Sequence, residues 1–129
     1  MYIFALKEII EIKGKLKFFK LVIDGKCEYD AFEKEIKTEG NYLSELLTIE
    51  TRLHEISELK SLPENKFREL KRKNDGIKEY EIKTRHLRVY LFHEKNTGRI
   101  LVSGGKKATQ KADIRHFRNI KREYFKQKI

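Results

Sequence analysis

The feature that most constrains this chain is the segment Glu79–Ser103. Tyr80, Ile82 and Thr84 alternate with Glu81, Lys83 and Arg85. Leu87, Val89 and Leu91 then alternate with Arg88, Tyr90 and Phe92, and Asn96-Thr97-Gly98 makes a tight turn into Arg99–Ser103. Period-two alternation across turn residues specifies antiparallel strands joined in sequence, so a three-stranded meander is expected here.

The flanks carry different periods. Residues 3–12 and 15–23 are rich in Ile, Leu, Val and Phe around Gly14, which reads as a hairpin, and Asp24-Gly25 turns the chain. From Glu28 to Lys37, Tyr29, Phe32, Glu33 and Ile36 follow helical spacing, with Cys27 as a small residue at the helix start and Gly40 as its end. Tyr42, Leu46, Ile49, Leu53 and Ile56 form a second apolar stripe within 41–60, widened by Leu43, Leu47 and Leu59, with an acidic outer face. His54 lies beside that stripe as a half-buried or surface histidine. The only proline, Pro63, separates a helical half from a strand-rich half. After it, "FRELKR" reads as a helix end before the turn Asn74-Asp75-Gly76. Residues 112–127 read as a C-terminal helix whose stripe is Ile114, Phe117, Ile120, Tyr124 and Phe125. The expectation is one α+β domain spanning residues 1–129, a small twisted antiparallel sheet with N-terminal helices on one face and a C-terminal helix. The other face would be free to carry Lys83, Arg85 or Arg88 toward a ligand.

Charge divides the chain at the same place. Residues 1–65 hold 10 Lys/Arg against 13 Asp/Glu, whereas residues 66–129 hold 20 against 7. A one-sided excess of this kind attracts a polyanion. The single cysteine excludes an internal disulfide framework and a cysteine-pair zinc cluster, and fits a reducing, cytoplasmic setting. Neither a membrane-length apolar run nor a signal-peptide pattern is visible. Phosphate-loop and dinucleotide-binding glycine motifs are missing. His86, His93 and His116 share no metal-ligand spacing, and the acids of the basic half are few and scattered, so no metal or other cofactor is expected.

What remains is a cationic, aromatic-flanked set: Lys83, Arg85, Arg88, Tyr90, Lys106, Lys107, Lys111, Arg118 and Tyr124. Such groups bind phosphates and stack on unpaired bases. They also suit RNA cleavage without metal, in which a ribose 2′-OH attacks the adjacent phosphate. Crowding lowers one lysine's pKa so that it acts as a base, and its neighbours stabilise the developing negative charge. Gly104-Gly105 would end the last strand and turn the backbone close to phosphate.

The run from Asn65 to Phe125, with "FRELKR", "YEIK", "LRVYLF", "ILV" and "GGKKATQK" in order, resembles the RelE/HigB-like toxins of bacterial type II toxin–antitoxin systems. The resemblance implies a small antiparallel sheet with helices packed on one side. It implies a cytoplasmic mRNA endoribonuclease acting on the ribosome and inhibiting translation. A cognate antitoxin, typically a helix-turn-helix protein, would hold it silent. Carried over by position, Lys83, Arg88, Lys106, Lys107 and Tyr124 are the implied catalytic residues, with Arg85, Tyr90, Lys111 and Arg118 in RNA binding. The family often has a proline opening its last helix, where this chain has Lys111-Ala112-Asp113, and Asp113 is expected to cap the helix instead. Lys83 stands where an arginine is usual, which keeps charge but loses bidentate geometry. ParE-type relatives share the fold and inhibit DNA gyrase without nuclease chemistry. A degenerate member that only binds nucleic acid or antitoxin is the third alternative.

Overall fold

Two distant parts of the chain pair inside one sheet. In the computed structural model, which describes residues 1–70 and 75–128, the strand Phe18–Ile23 (β2) runs parallel to Gly98–Lys106 (β6), with Phe18 opposite Arg99 and Lys20 opposite Leu101. Around that pair stand Phe4–Glu8 (β1), Leu87–Glu94 (β5), Glu79–Lys83 (β4) and the short strand Phe67–Glu69 (β3). The order is β1-β2-β6-β5-β4-β3, and every neighbouring pair except β2–β6 is antiparallel. The meander β4–β5–β6 is as its alternation predicts, and the hairpin read from the apolar runs 3–12 and 15–23 forms with shorter strands, Phe4–Glu8 and Phe18–Ile23. The sheet as a whole is mixed, which corrects the purely antiparallel expectation. "FRELKR" contributes strand β3 at its start rather than a helix end, while residues 71–74 lie outside the described residues.

Three helices pack on the sheet among the described residues. Glu28–Glu39 (α1) starts at Cys27, whose Sγ accepts from the Asp30 amide at 3.4 Å, and closes at Gly40 in the left-handed region. Leu43–Ser57 (α2) follows, and Gln110–Gln127 (α3) closes the chain after a single 3-10 turn at Lys107–Thr109. One core lies under α1 and α2: Phe18, Tyr29, Phe32, Ile36, Ile49, Leu53, Ile82, Val89, Leu91 and Leu101. A second lies under α3 on the opposite face: Leu21, Tyr90, Phe92, Ile100, Val102, Phe117, Ile120 and Tyr124. Both faces are therefore covered, against the expectation of an open one. The α2 stripe is narrower than its sequence suggests, since Leu43, Leu47 and Leu59 are 48%, 67% and 59% exposed. No described helix is long and apolar enough to cross a membrane.

The Gly-Gly pair has a packing role. Gly104 and Gly105 lie within β6, which continues to Lys106 without turning. A Cβ on Gly104 would lie 2.5 Å from the Phe32 ring of α1, and one on Gly105 would collide with the Asp113 carboxylate of α3. Side chains alternate across a strand, so the two glycines let a helix approach on each face. Asp113 itself is not the helix cap. The helix begins at Gln110, and Asp113 in the first turn accepts from the Thr109 hydroxyl at 2.6 Å.

Candidate nucleic-acid interface

The meander's lower end and the start of α3 gather the basic residues. Lys83 ends β4 directly opposite Arg88, and Arg88 lies opposite Gly105 in β6. Arg85 and His86 form the β4–β5 turn, and the Lys107 amide donates to the His86 carbonyl at 2.8 Å. This bond ties the 3-10 turn, and with it Lys107 and Lys111, to the end of the meander. Lys107, Lys111 and Arg85 are exposed, and Lys83 is half-buried.

The sheet divides the remaining candidates between its two faces. Lys106 lies on the α1 side, where its ammonium meets Glu39 at 2.7 Å; that bond, against slight desolvation, raises the Lys106 pKa. Crowding therefore does not depress this lysine. Arg88, on the α3 side, is 5% exposed, and its Nη1 donates to the Thr84 and Leu87 carbonyls at 2.6 and 2.8 Å. Tyr90 is fully buried against Phe117, so it cannot stack on a base, and burial, Glu81 and Asp113 push its phenol upward. Tyr124 is also core: 4% exposed, packed on Phe92 and donating to Glu94 at 3.0 Å. These positions correct the expected stacking role of Tyr90 and the exposed role of Tyr124.

Sequence reasoning missed the acids of the basic half. Two of them, Glu79 and Glu81, are buried on the α3 side, and each orients cations. Glu81, with no exposure, accepts from Arg68 Nε at 2.8 Å and from Gln110 Nε2 at 2.6 Å. Arg88 Nε stands 3.9 Å from the same carboxylate. Glu79, 1% exposed, accepts from Arg118 Nε at 3.0 Å and pairs with Lys121 at 2.5 Å. Alternation carried the signal, for Glu79, Glu81 and Lys83 share one strand face. Only the position of α3 makes that face an interior one.

Two histidines have carboxylate partners that sequence spacing could not reveal, because both come from the N-terminal half. His86 Nδ1 lies 2.7 Å from Glu45 Oε2, with its ring stacked on Tyr42 at 4.5 Å. Burial opposes ionisation of Glu45, but bonds from the Thr84 hydroxyl and from the His86 amide and ring outweigh it and hold the carboxyl below its usual range. His116 Nε2 lies 2.9 Å from Glu28. His93 stands apart on β5, its pKa lowered by burial, Arg99 and Lys78.

The outer face of α3 adds a feature larger than any single predicted residue. Lys111, Arg115, Arg118 and Arg122 fall at i, i+4, i+7 and i+11, and a surface depression runs along them past Ile114 and Asn119. A second depression, sharing Ile114 and Arg118, continues to Arg68, Glu64, Glu69 and Leu70. The two depressions meet at Ile114 and Arg118, with the basic stripe of α3 on one side and the mixed β3 edge on the other. No protein-family model, curated protein or solved structure matches this chain.

Proposed function

We propose that this protein binds RNA and cleaves it without metal, as the toxin component of a type II toxin–antitoxin system acting on mRNA at the ribosome. The observation that supports this reading best is the gathering of Lys83, Arg85, Lys107 and Lys111 where the meander ends and α3 begins. Cations grouped at one edge lower the energy of a dianionic phosphorane formed by 2′-OH attack, and they hold the phosphates on either side in register. A cognate antitoxin, expected to carry a helix-turn-helix, would silence the protein by laying an acidic segment over the same edge.

A second reading has its own observation. Arg88 is spent on backbone carbonyls, Lys106 on Glu39, and Tyr124 lies in the core. Three of the five residues expected to be catalytic are thus engaged structurally. That favours a protein of the same class that binds its target without cutting it, whether gyrase or a nucleic acid.

Induction without antitoxin, followed by mapping of new mRNA 5′ ends, separates the two. The control is a Lys83→Ala/Lys107→Ala/Lys111→Ala chain, whose changes leave both cores untouched. New ends inside coding regions that vanish in the variant support cleavage at this edge. Growth arrest with intact mRNA overturns the nuclease reading and supports the second.

A further inference from the structure

We infer that the depression along the outer stripe of α3, together with the adjoining one between α3 and the β3 edge, is a track for one RNA strand, with the phosphates laid along Lys111, Arg115, Arg118 and Arg122. The inference rests on the proposed RNA-binding reading and extends it from a point of contact to a path.

Four cations at i, i+4, i+7 and i+11 lie on one stripe of a helix and span about three turns, roughly 16 Å. Lys111, Arg115 and Arg122 are exposed, and Arg118 is half-buried against the sheet. Arg122 Nη1 donates to Asn119 Oδ1 at 2.9 Å, which holds two polar groups of the stripe together. The arginines on either side of the groove are also held in place. Buried Glu79 grips Arg118 by Nε, and buried Glu81 grips Arg68 by Nε. Each arginine is thereby held beside the groove, so less side-chain freedom is lost when phosphate binds. Arg118 and Arg68 keep 28% and 38% of their side chains exposed beside the groove.

The opposite wall decides between a single strand and a duplex. Glu64 and Glu69 line it, next to Leu70 and Ile114. A duplex would bring a second row of phosphates toward those carboxylates. A single strand keeps its phosphates on α3 and turns its bases toward the apolar floor and the carboxylates, which accept from exocyclic amines. The track ends at Lys111, adjoining the edge where cleavage is proposed.

The test is equilibrium binding of a fluorescein-labelled single-stranded oligoribonucleotide with every sugar 2′-O-methylated, which 2′-OH attack cannot cut. Binding is followed against salt for the full chain, for Arg115→Ala/Arg122→Ala and for the matched α1 control Lys34→Ala/Lys37→Ala. With about four phosphates neutralised on a single strand, log K should fall against log salt with a slope near 3, and loss of two cations should lower that slope by about 1.4. The α1 control should keep the parent slope, and the duplex form of the oligonucleotide should bind more weakly. An unchanged slope in the α3 variant, an equal loss in the α1 control, or tighter duplex binding overturns the inference. Binding that follows the expected slopes while unmodified mRNA stays intact on induction keeps the track and removes the nuclease.

Discussion

The two faces of the sheet are sealed by different physics. Under α1 and α2 the contacts are apolar, from Phe18 through Phe32, Ile36, Ile49 and Leu53 to Val89 and Leu91. Under α3 an aromatic centre of Tyr90, Phe92, Phe117 and Tyr124 is bordered by buried ion pairs at Glu79, Glu81 and Glu94. An apolar seal is non-directional and tolerates sliding. The buried Glu79 carboxylate, which pairs with Arg118 and Lys121, adds directional contacts between α3 and β4. The face that carries the candidate interface is the face held by charge, and the contrast can be tested by breaking each seal.

The largest effect is expected at Glu79. Its removal as Glu79→Ala takes from Lys121, 2% exposed, its buried counter-charge and leaves it Asp75 at 3.0 Å, and should cost about 3 kcal/mol in denaturant unfolding. Adding Lys121→Met should recover much of that loss, because an apolar pair no longer strands a buried ion. On the other face, Ile49→Ala should cost about 2–5 kcal/mol and gain nothing from Lys121→Met, since the sites share no partner. Equal behaviour of both faces in this comparison would mean that the ion pairs do not organise α3.

A smaller effect is expected at the glycines. Gly105→Ala drives a methyl into the Asp113 carboxylate and should cost about 1–3 kcal/mol, with most of the cost absent in an Asp113→Ala background. Gly104→Ala presses on the Phe32 ring instead, so Asp113→Ala should not relieve it. A double-mutant cycle by thermal unfolding reads the difference.

The smallest concerns pH. The Glu45 carboxyl is held below its usual range by Thr84 and His86 in spite of burial. Its stabilising contribution is therefore complete above the unfolded value of about 4.3 and is lost as pH falls through the lower folded value. Glu45→Gln should cost roughly 0.5–1 kcal/mol at pH 7 and nothing once the pH lies below the folded value. Denaturant melts at pH 7 and at a pH low enough to protonate Glu45 check both limits. A constant difference between the two would show that the network acts through shape rather than charge.

Much of the fold was legible because periodicity is local. Tyr29, Phe32 and Ile36 mark α1, Leu46, Ile49 and Leu53 mark α2, and Phe117, Ile120 and Tyr124 mark α3; all nine are buried. The turn at Asn96–Gly98 and the hairpin before Asp24 were equally plain. The parallel pairing of β2 with β6 was not, because it joins strands about 80 residues apart and leaves no local pattern. β3 is three residues long, too short for alternation to register. In the candidate site, the exposed Lys107 and Lys111 and the half-buried Lys83 were found by charge alone. The burial of Arg88, Tyr90 and Tyr124 and the arginine-orienting role of Glu79 and Glu81 were not.

By itself, then, the sequence determined the elements, their inward stripes and the concentration of positive charge in the second half, since each depends on residues a few positions apart. Only the tertiary structure decided that α3 lies across the face opposite α1 and α2. That placement turned two strand carboxylates into buried anchors and separated Lys106 from Arg88. It also set Ile114 and Arg118 of the helix beside the β3 edge, where the two depressions meet. An alternating strand states which residues share a face, and the packing of distant elements alone states whether that face meets water.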